Sequence, residues 1–240
     1  STIKRKKGAI DAERSKMFQK LNKEIFVAAK QGDKDPNNNP NLRMVIDKAK
    51  AFNMPKDRIQ AAIDKAHSAS NNETFESIRY EGYGPGQVAV IVECLTDNDN
   101  RTYTEVRTAF NKTGGTIGTS VSYMFNRKAQ FVYDGLSEDD TMMALMEAGC
   151  DFEDLSTDED GFIHITAAPQ DFEGIRHALL QAKEDLEFDT CSVDLVPSTY
   201  VDLDEDHLGK FKRLLEALRE YDDVSEIYHN ANLPEEDDEE

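Results

Sequence analysis

Four cations stand side by side at Lys4, Arg5, Lys6 and Lys7, and four more, Lys16, Lys20, Lys23 and Lys30, recur along the segment that follows. At about 100° per residue, those four lysines fall within an arc of about 80° on a helix. Met17, Phe18, Leu21, Ile25, Ala28 and Ala29 fall within about 120° on the opposite side, the expected core face. A cationic ridge of this kind neutralises phosphates and releases condensed counterions, which gives affinity for a polyanion without reading its sequence. Adjacent like charges repel unless something anionic relieves them, so residues 4–7 strengthen the nucleic-acid reading. Arg101 and Arg107 are secondary candidates on a helix expected over residues 101–112. Asn98 or Asn100 offers its cap, and open amides at its start favour a phosphate beside Arg101.

Other residue types that could do chemistry are poorly placed for it. The glycine-rich Gly82-Tyr83-Gly84-Pro85-Gly86 stands before a strand, whereas a phosphate-binding loop must follow a strand and open a helix, and Pro85 removes an amide donor. It is read as a turn between two strands. Cys94, Cys150 and Cys191 lie far apart with no CxxC spacing, and the five histidines include no i, i+4 pair. Carboxylates are abundant, but Asp158–Gly161 reads as a hairpin turn and lacks calcium-loop spacing. No nucleophile, base and acid assemble into a catalytic set. The expectation is therefore a protein that is not an enzyme, with no cofactor, no metal and no small-molecule substrate.

The elements that must position the cations follow from charge and periodicity. The 240 residues hold 28 Lys and Arg against 48 Asp and Glu, a net charge of −20. That charge is unevenly placed: residues 1–70 carry a balance of +8 and the rest a balance of −28. Such asymmetry marks a basic, polyanion-seeking part joined to an acidic remainder. With a Debye length of about 8 Å at physiological salt, a spatially separate basic domain acts locally despite the acidic whole. No apolar run reaches the roughly 18 residues of a membrane span, and residues 1–15 carry no apolar signal core, so a cytoplasmic chain without a membrane partner is expected.

The first third reads as three helices. The first covers residues 9–31, with Gly32 as its stop. The second is opened by Asn39 and Pro40 and carries Leu42, Val45, Ile46 and Ala49. The third is announced by Asn53 and Pro55 and carries Ile59, Ala62, Ile63 and Ala66. Strands are expected over 87–95 and 121–125, around the helix at 101–112. From residue 129 the order β-α-β-β-α-β is that of a ferredoxin-like unit. An amphipathic helix over 206–221 and a strand over 225–229 then complete the earlier sheet. The expected class is α+β. A basic helical domain (1–73) precedes a discontinuous α/β domain (74–128 with 197–232), which holds a ferredoxin-like domain (129–196), and an acidic tail (233–240) ends the chain.

Several strings taken together, IKRKKGAIDAERSKMF, NPNLRMVIDKAKAFNMPKDRI, IRYEGYGPGQVAVIVECLTDNDNRTYTEVRTAF and DDVSEIYHN, closely resemble the YebC family over nearly the whole chain. That family includes bacterial proteins called probable transcriptional regulators and a mitochondrial translational activator of cytochrome c oxidase. The segment between Gly118 and Val121 is about two residues shorter than the family's usual glycine-serine stretch. The resemblance implies three domains and a non-enzymatic, cytoplasmic role linked to nucleic acid, either binding promoter DNA or acting on the ribosome, including relief of stalling at proline-rich sequence. The residues themselves leave three classes open: a transcriptional regulator on promoter DNA, a translation factor on ribosomal RNA, and a protein-interaction adaptor suggested by the acidic remainder. No helix-turn-helix reader is evident, which weakens the first.

Overall fold

The computed structural model describes residues 11–234, with side chains from Glu13 onward. Residues 4–7, the start of the first helix expected at residue 9 and the acidic stretch 235–240 lie outside the described residues. Three helices lead: α1 (Asp11–Lys30), α2 (Pro40–Ala51) and α3 (Lys56–Ala66). Strands β1 (Glu76–Gly84) and β2 (Val88–Thr96) precede α4 (Asp99–Lys112) and the short β3 (Thr116–Ile117). Then come β4 (Phe125–Tyr133), α5 (Glu138–Glu147), β5 (Asp154–Thr157), β6 (Ile163–Ala167), α6 (Phe172–Ala182) and β7 (Phe188–Pro197). Helix α7 (Glu205–Glu220) and strand β8 (Val224–His229) follow. The α+β class, the three leading helices and the inserted ferredoxin-like unit match the reading of the sequence. Two compact units result, one holding α1–α3 with residues 127–194, the other residues 73–126 with the chain from 195 on.

In the first unit, Asn39 organises the turn from α1 to α2. Its Oδ1 accepts from the Leu42 amide at 3.1 Å, capping α2, while its Nδ2 donates to the carbonyls of Ala28 and Asp33, both at 2.9 Å. Helix α1 ends at Lys30, just before the stop expected at Gly32, but the glycine has no positive φ; a Cβ there would stand 2.8 Å from Asn39 Nδ2, so the glycine makes room for the cap. Asn53 does not cap α3 either. It takes the left-handed conformation (φ 61°) that ends α2, and Pro55 occupies the cap position.

The inserted sheet runs β5-β6-β4-β7, with β4 and β5 antiparallel to β6. Phe131 on β4 stacks on Phe172 of α6 at 5.2 Å, and the Tyr133 hydroxyl is 2.7 Å from that of Thr141 on α5. Asp158 shapes the β5–β6 hairpin, its carboxylate accepting from the amides of Asp160 (2.9 Å) and Phe162 (3.0 Å). A buried ion pair joins α2 to α6: Arg176 Nε lies 2.7 Å from Asp47 Oδ2, with side chains 13% and 5% exposed.

In the second unit the order is β3-β1-β2-β8, and a hairpin turn joins β1 to β2 as expected, but at Pro85–Gln87: Gly82, Tyr83 and Gly84, expected within the turn, are paired residues of β1. Strand β2 is buried on both faces. Val88, Val90, Val92 and Cys94 pack with Val106 and Phe110 of α4 and Phe211, Leu214 and Leu218 of α7. Ala89 and Ile91 pack with Val121 and Phe125 on the other side. The strand expected over 121–125 is instead a 3-10 turn, Ser122–Met124, with β4 starting at Phe125. A strand would place Val121, Tyr123 and Phe125 on one face; the turn instead buries Val121 and Phe125 in that core and leaves Tyr123 exposed.

Candidate nucleic-acid interface

Helix α3 lies along α1 in the same direction. Arg58 sits over the Phe18 ring at 5.2 Å, Lys65 over Phe26 at 5.9 Å, and His67 Nε2 is 2.8 Å from the Ala29 carbonyl. Helix α2 reaches α1 from another direction, with Lys48 Nζ 2.9 Å from Glu24. Packed on more than one side, α1 buries Phe18, Lys20, Leu21, Ile25, Phe26, Ala28 and Ala29, an arc of about 240° rather than 120°. The lysine ridge is broken accordingly. Lys20, expected to face solvent, is only 7% exposed and stands as a correction, while Lys16, Lys23 and Lys30 are half-buried.

Exposed cations lie elsewhere on the same helical segment, at Lys34, Lys50, Lys56, Arg58 and Lys65. The Lys30 and Lys65 ammoniums converge on the Phe26 ring, at 5.2 and 5.9 Å from its centroid. Two like charges over one ring form a local concentration of positive potential that an anion relieves. Reading the sequence overlooked the α3 cations because Asp57 and Asp64 alternate with them. The surplus of the whole segment was the available signal.

The Arg101 guanidinium is engaged by carboxylates of its own unit. Its Nε and Nη2 donate to Asp223 at 3.0 and 2.8 Å, and Nη2 also donates to Asp97 at 2.8 Å. These hydrogen bonds, Asp223's first, raise the guanidinium pKa further. Asp223 is itself 4% exposed and also accepts from Thr102 Oγ1 at 2.9 Å. Asn98 caps α4, accepting from the Arg101 amide at 3.1 Å, so the junction is structural throughout. Replacing Arg101 with alanine is expected to destabilise the second unit by about 2 kcal/mol, the guanidinium being partly solvated. Nucleic-acid affinity should be unchanged, and denaturation beside a binding titration checks both. Arg107, two turns along α4, is exposed.

Comparison with known proteins places these features in a wider set. The model for the TACO1/YebC protein N-terminal domain matches residues 1–69, and that for the TACO1/YebC second and third domain matches residues 75–231. A probable transcriptional regulatory protein of Geobacillus kaustophilus is 47% identical over 236 residues, covering 96% of this chain and 94% of its own. One from Listeria monocytogenes is 47% identical over 239 residues, covering 97% of each. The crystal structure of a conserved hypothetical protein from Aquifex aeolicus superposes with a TM-score of 0.80 at 38% identity, over 100% of this chain and 99% of the other.

Proposed function

The chain belongs to the TACO1/YebC family, and from that premise we propose that it is a regulator of gene expression that contacts nucleic acid through its basic N-terminal helices. One observation carries this reading: residues 1–70 hold sixteen basic against eight acidic side chains, and the rest of the chain twelve against forty. A polyanion is attracted to the basic segment and disfavoured by the acidic stretches elsewhere in the chain. The contact set comprises Lys16, Lys23 and Lys30 on α1, Lys34, Lys50, Lys56, Arg58 and Lys65 on the neighbouring segments, and the run at Lys4, Arg5, Lys6 and Lys7. Arg107 remains secondary, and Lys20 and Arg101 drop out. The relatives' names, probable transcriptional regulatory proteins, support a regulator, and promoter DNA without catalysis is the reading proposed for it.

A second reading, contact with ribosomal RNA, is favoured by a specific observation on α3. The two exposed side chains there best suited to reading base edges are already engaged: Gln60 Nε2 donates to Asp64 Oδ1 at 2.9 Å, and Arg58 lies over Phe18. Backbone and shape recognition then replaces base readout. Gel shifts with a promoter duplex against a scrambled one, and sedimentation of cell extract through a sucrose gradient, separate the two. Promoter binding gives a sequence preference and no ribosomal co-migration; action on the ribosome gives the reverse. Neither outcome, with no shift at low salt, rejects the proposal.

A further inference from the structure

Residues 113–126 are the longest run without a charged side chain in a chain that is 32% charged. A second neutral segment, residues 195–201, is stitched to it: the Ser198 amide donates to the Met124 carbonyl at 2.9 Å and Asn126 Nδ2 to Ser198 Oγ at 3.1 Å. Together they expose Thr116, Thr119, Ser120, Asn126, Ser198 and Thr199 around the most exposed aromatic ring among the described residues, Tyr123, at 75%.

That ring is held in place from below. Glu81 on β1 accepts from the amides of Val121 (3.0 Å) and Ser122 (2.7 Å), fixing the 3-10 turn that carries Tyr123. Desolvation opposes ionisation of this carboxyl, but the hydrogen bonds outweigh it and hold its pKa below the usual range, so the charge is spent on the turn. Val121, Met124 and Phe125 anchor the same turn in the core beneath β2. A phenol ring carried on a fixed turn and standing largely in solvent, ringed by hydroxyl and amide groups and with neither lysine nor carboxylate on its own segment, suits a flat, neutral, hydrogen-bonding partner.

We propose that Tyr123 is a stacking platform for an unpaired base of a single-stranded nucleic acid. The inference rests on the nucleic-acid reading above and deepens it by naming an unpaired base as part of the ligand. Aromatic stacking tolerates any base and adds affinity that carries no counterion release.

Single-stranded RNA and DNA oligonucleotides carrying one 2-aminopurine report the contact directly, because the chain has no tryptophan to interfere. Binding to the wild-type protein should quench the probe, and the strand that quenches more identifies the polymer supplying the base. Tyr123→Ala should abolish the quench and weaken binding about tenfold, with the salt dependence and thermal midpoint unchanged. Tyr123→Phe should retain both quench and affinity. Wild-type quench and affinity in Tyr123→Ala overturn the inference while leaving the helical contact standing. Failure of the wild-type protein to bind either strand at low salt overturns both.

Discussion

Arg176→Ala is expected to cost about 3 to 5 kcal/mol of stability, the largest effect of any single substitution considered, because it strands the Asp47 carboxylate in the interior. Asp47 is 5% exposed, with the Arg176 guanidinium 2.7 Å away and Lys50 and Arg43 adding weaker positive influence. Burial already pushes the Asp47 pKa up, against the lowering influence of Arg176. Without the arginine the folded-state pKa rises further above the unfolded value. The native state then binds more protons than the unfolded one, and stability increases as pH falls through that raised pKa. Denaturation of Arg176→Ala should therefore show a deficit at pH 7 that shrinks on acidification. The double variant Asp47→Leu with Arg176→Met replaces both charges by apolar groups and should recover most of the loss. A small effect at pH 7 would mean that α2 and α6 do not depend on the pair for their packing.

The second large effect is a pH dependence centred on His229. Its ring meets Phe211 edge-on at 4.9 Å, and Nδ1 accepts from the Ala231 amide at 3.1 Å, which fixes the neutral ring with its proton on Nε2. Desolvation first, and then the charge of Arg219, push its pKa down to about 4. Between that value and the unfolded value near 6.5, the unfolded chain binds the proton and the native one does not. Stability is thus fully present above about pH 6.5 and is lost as pH falls toward 4, by about 3 kcal/mol. The carboxylates with lowered pKa values (Glu81, Asp97, Asp158 and Asp204) lose their contributions only below about pH 4.5, so the two effects separate on the pH axis. His229→Gln should flatten the profile between pH 6.5 and 4.5. A variant with the wild-type slope would place the titrating group elsewhere.

Local signals were the ones the sequence disclosed well. Asn39 with Pro40, and Asn98 before α4, cap their helices as the residue types demand, since a cap is decided within four residues. The β-α-β-β-α-β rhythm was equally readable, each element carrying its own periodicity. What could not be read was how many neighbours an element acquires. Lys20 looked solvent-facing on an amphipathic helix, but α1 is packed by two helices and its buried arc covers about two-thirds of its circumference. Arg101 looked like a phosphate ligand because its partner Asp223 lies 122 residues away in sequence. Gly32 marked the end of α1, but the reason a glycine is needed there could not be read, because the Asn39 side chain it accommodates reaches it only across a folded turn. The charge-free run around Tyr123 was visible all along, but its meaning depends on the turn that Glu81 holds and on the neutral segment stitched beside it.

These corrections move the candidate interface without removing its basis. The surplus of positive charge still resides in the opening helices, with the exposed part shifted toward α3 and the turns flanking α2. The most direct test is the slope of log K against log salt concentration for the full chain bound to nucleic acid. One variant carries glutamine at Lys34, Lys50, Lys56, Arg58 and Lys65; a control carries glutamine at three exposed cations of the second unit outside the contact set, Lys112, Lys212 and Arg213. The account predicts that the first variant loses about 0.7 to 0.9 from the slope for each phosphate contact removed, while the control keeps the wild-type slope. An unchanged slope in the first variant, or an equal loss in the control, would contradict it.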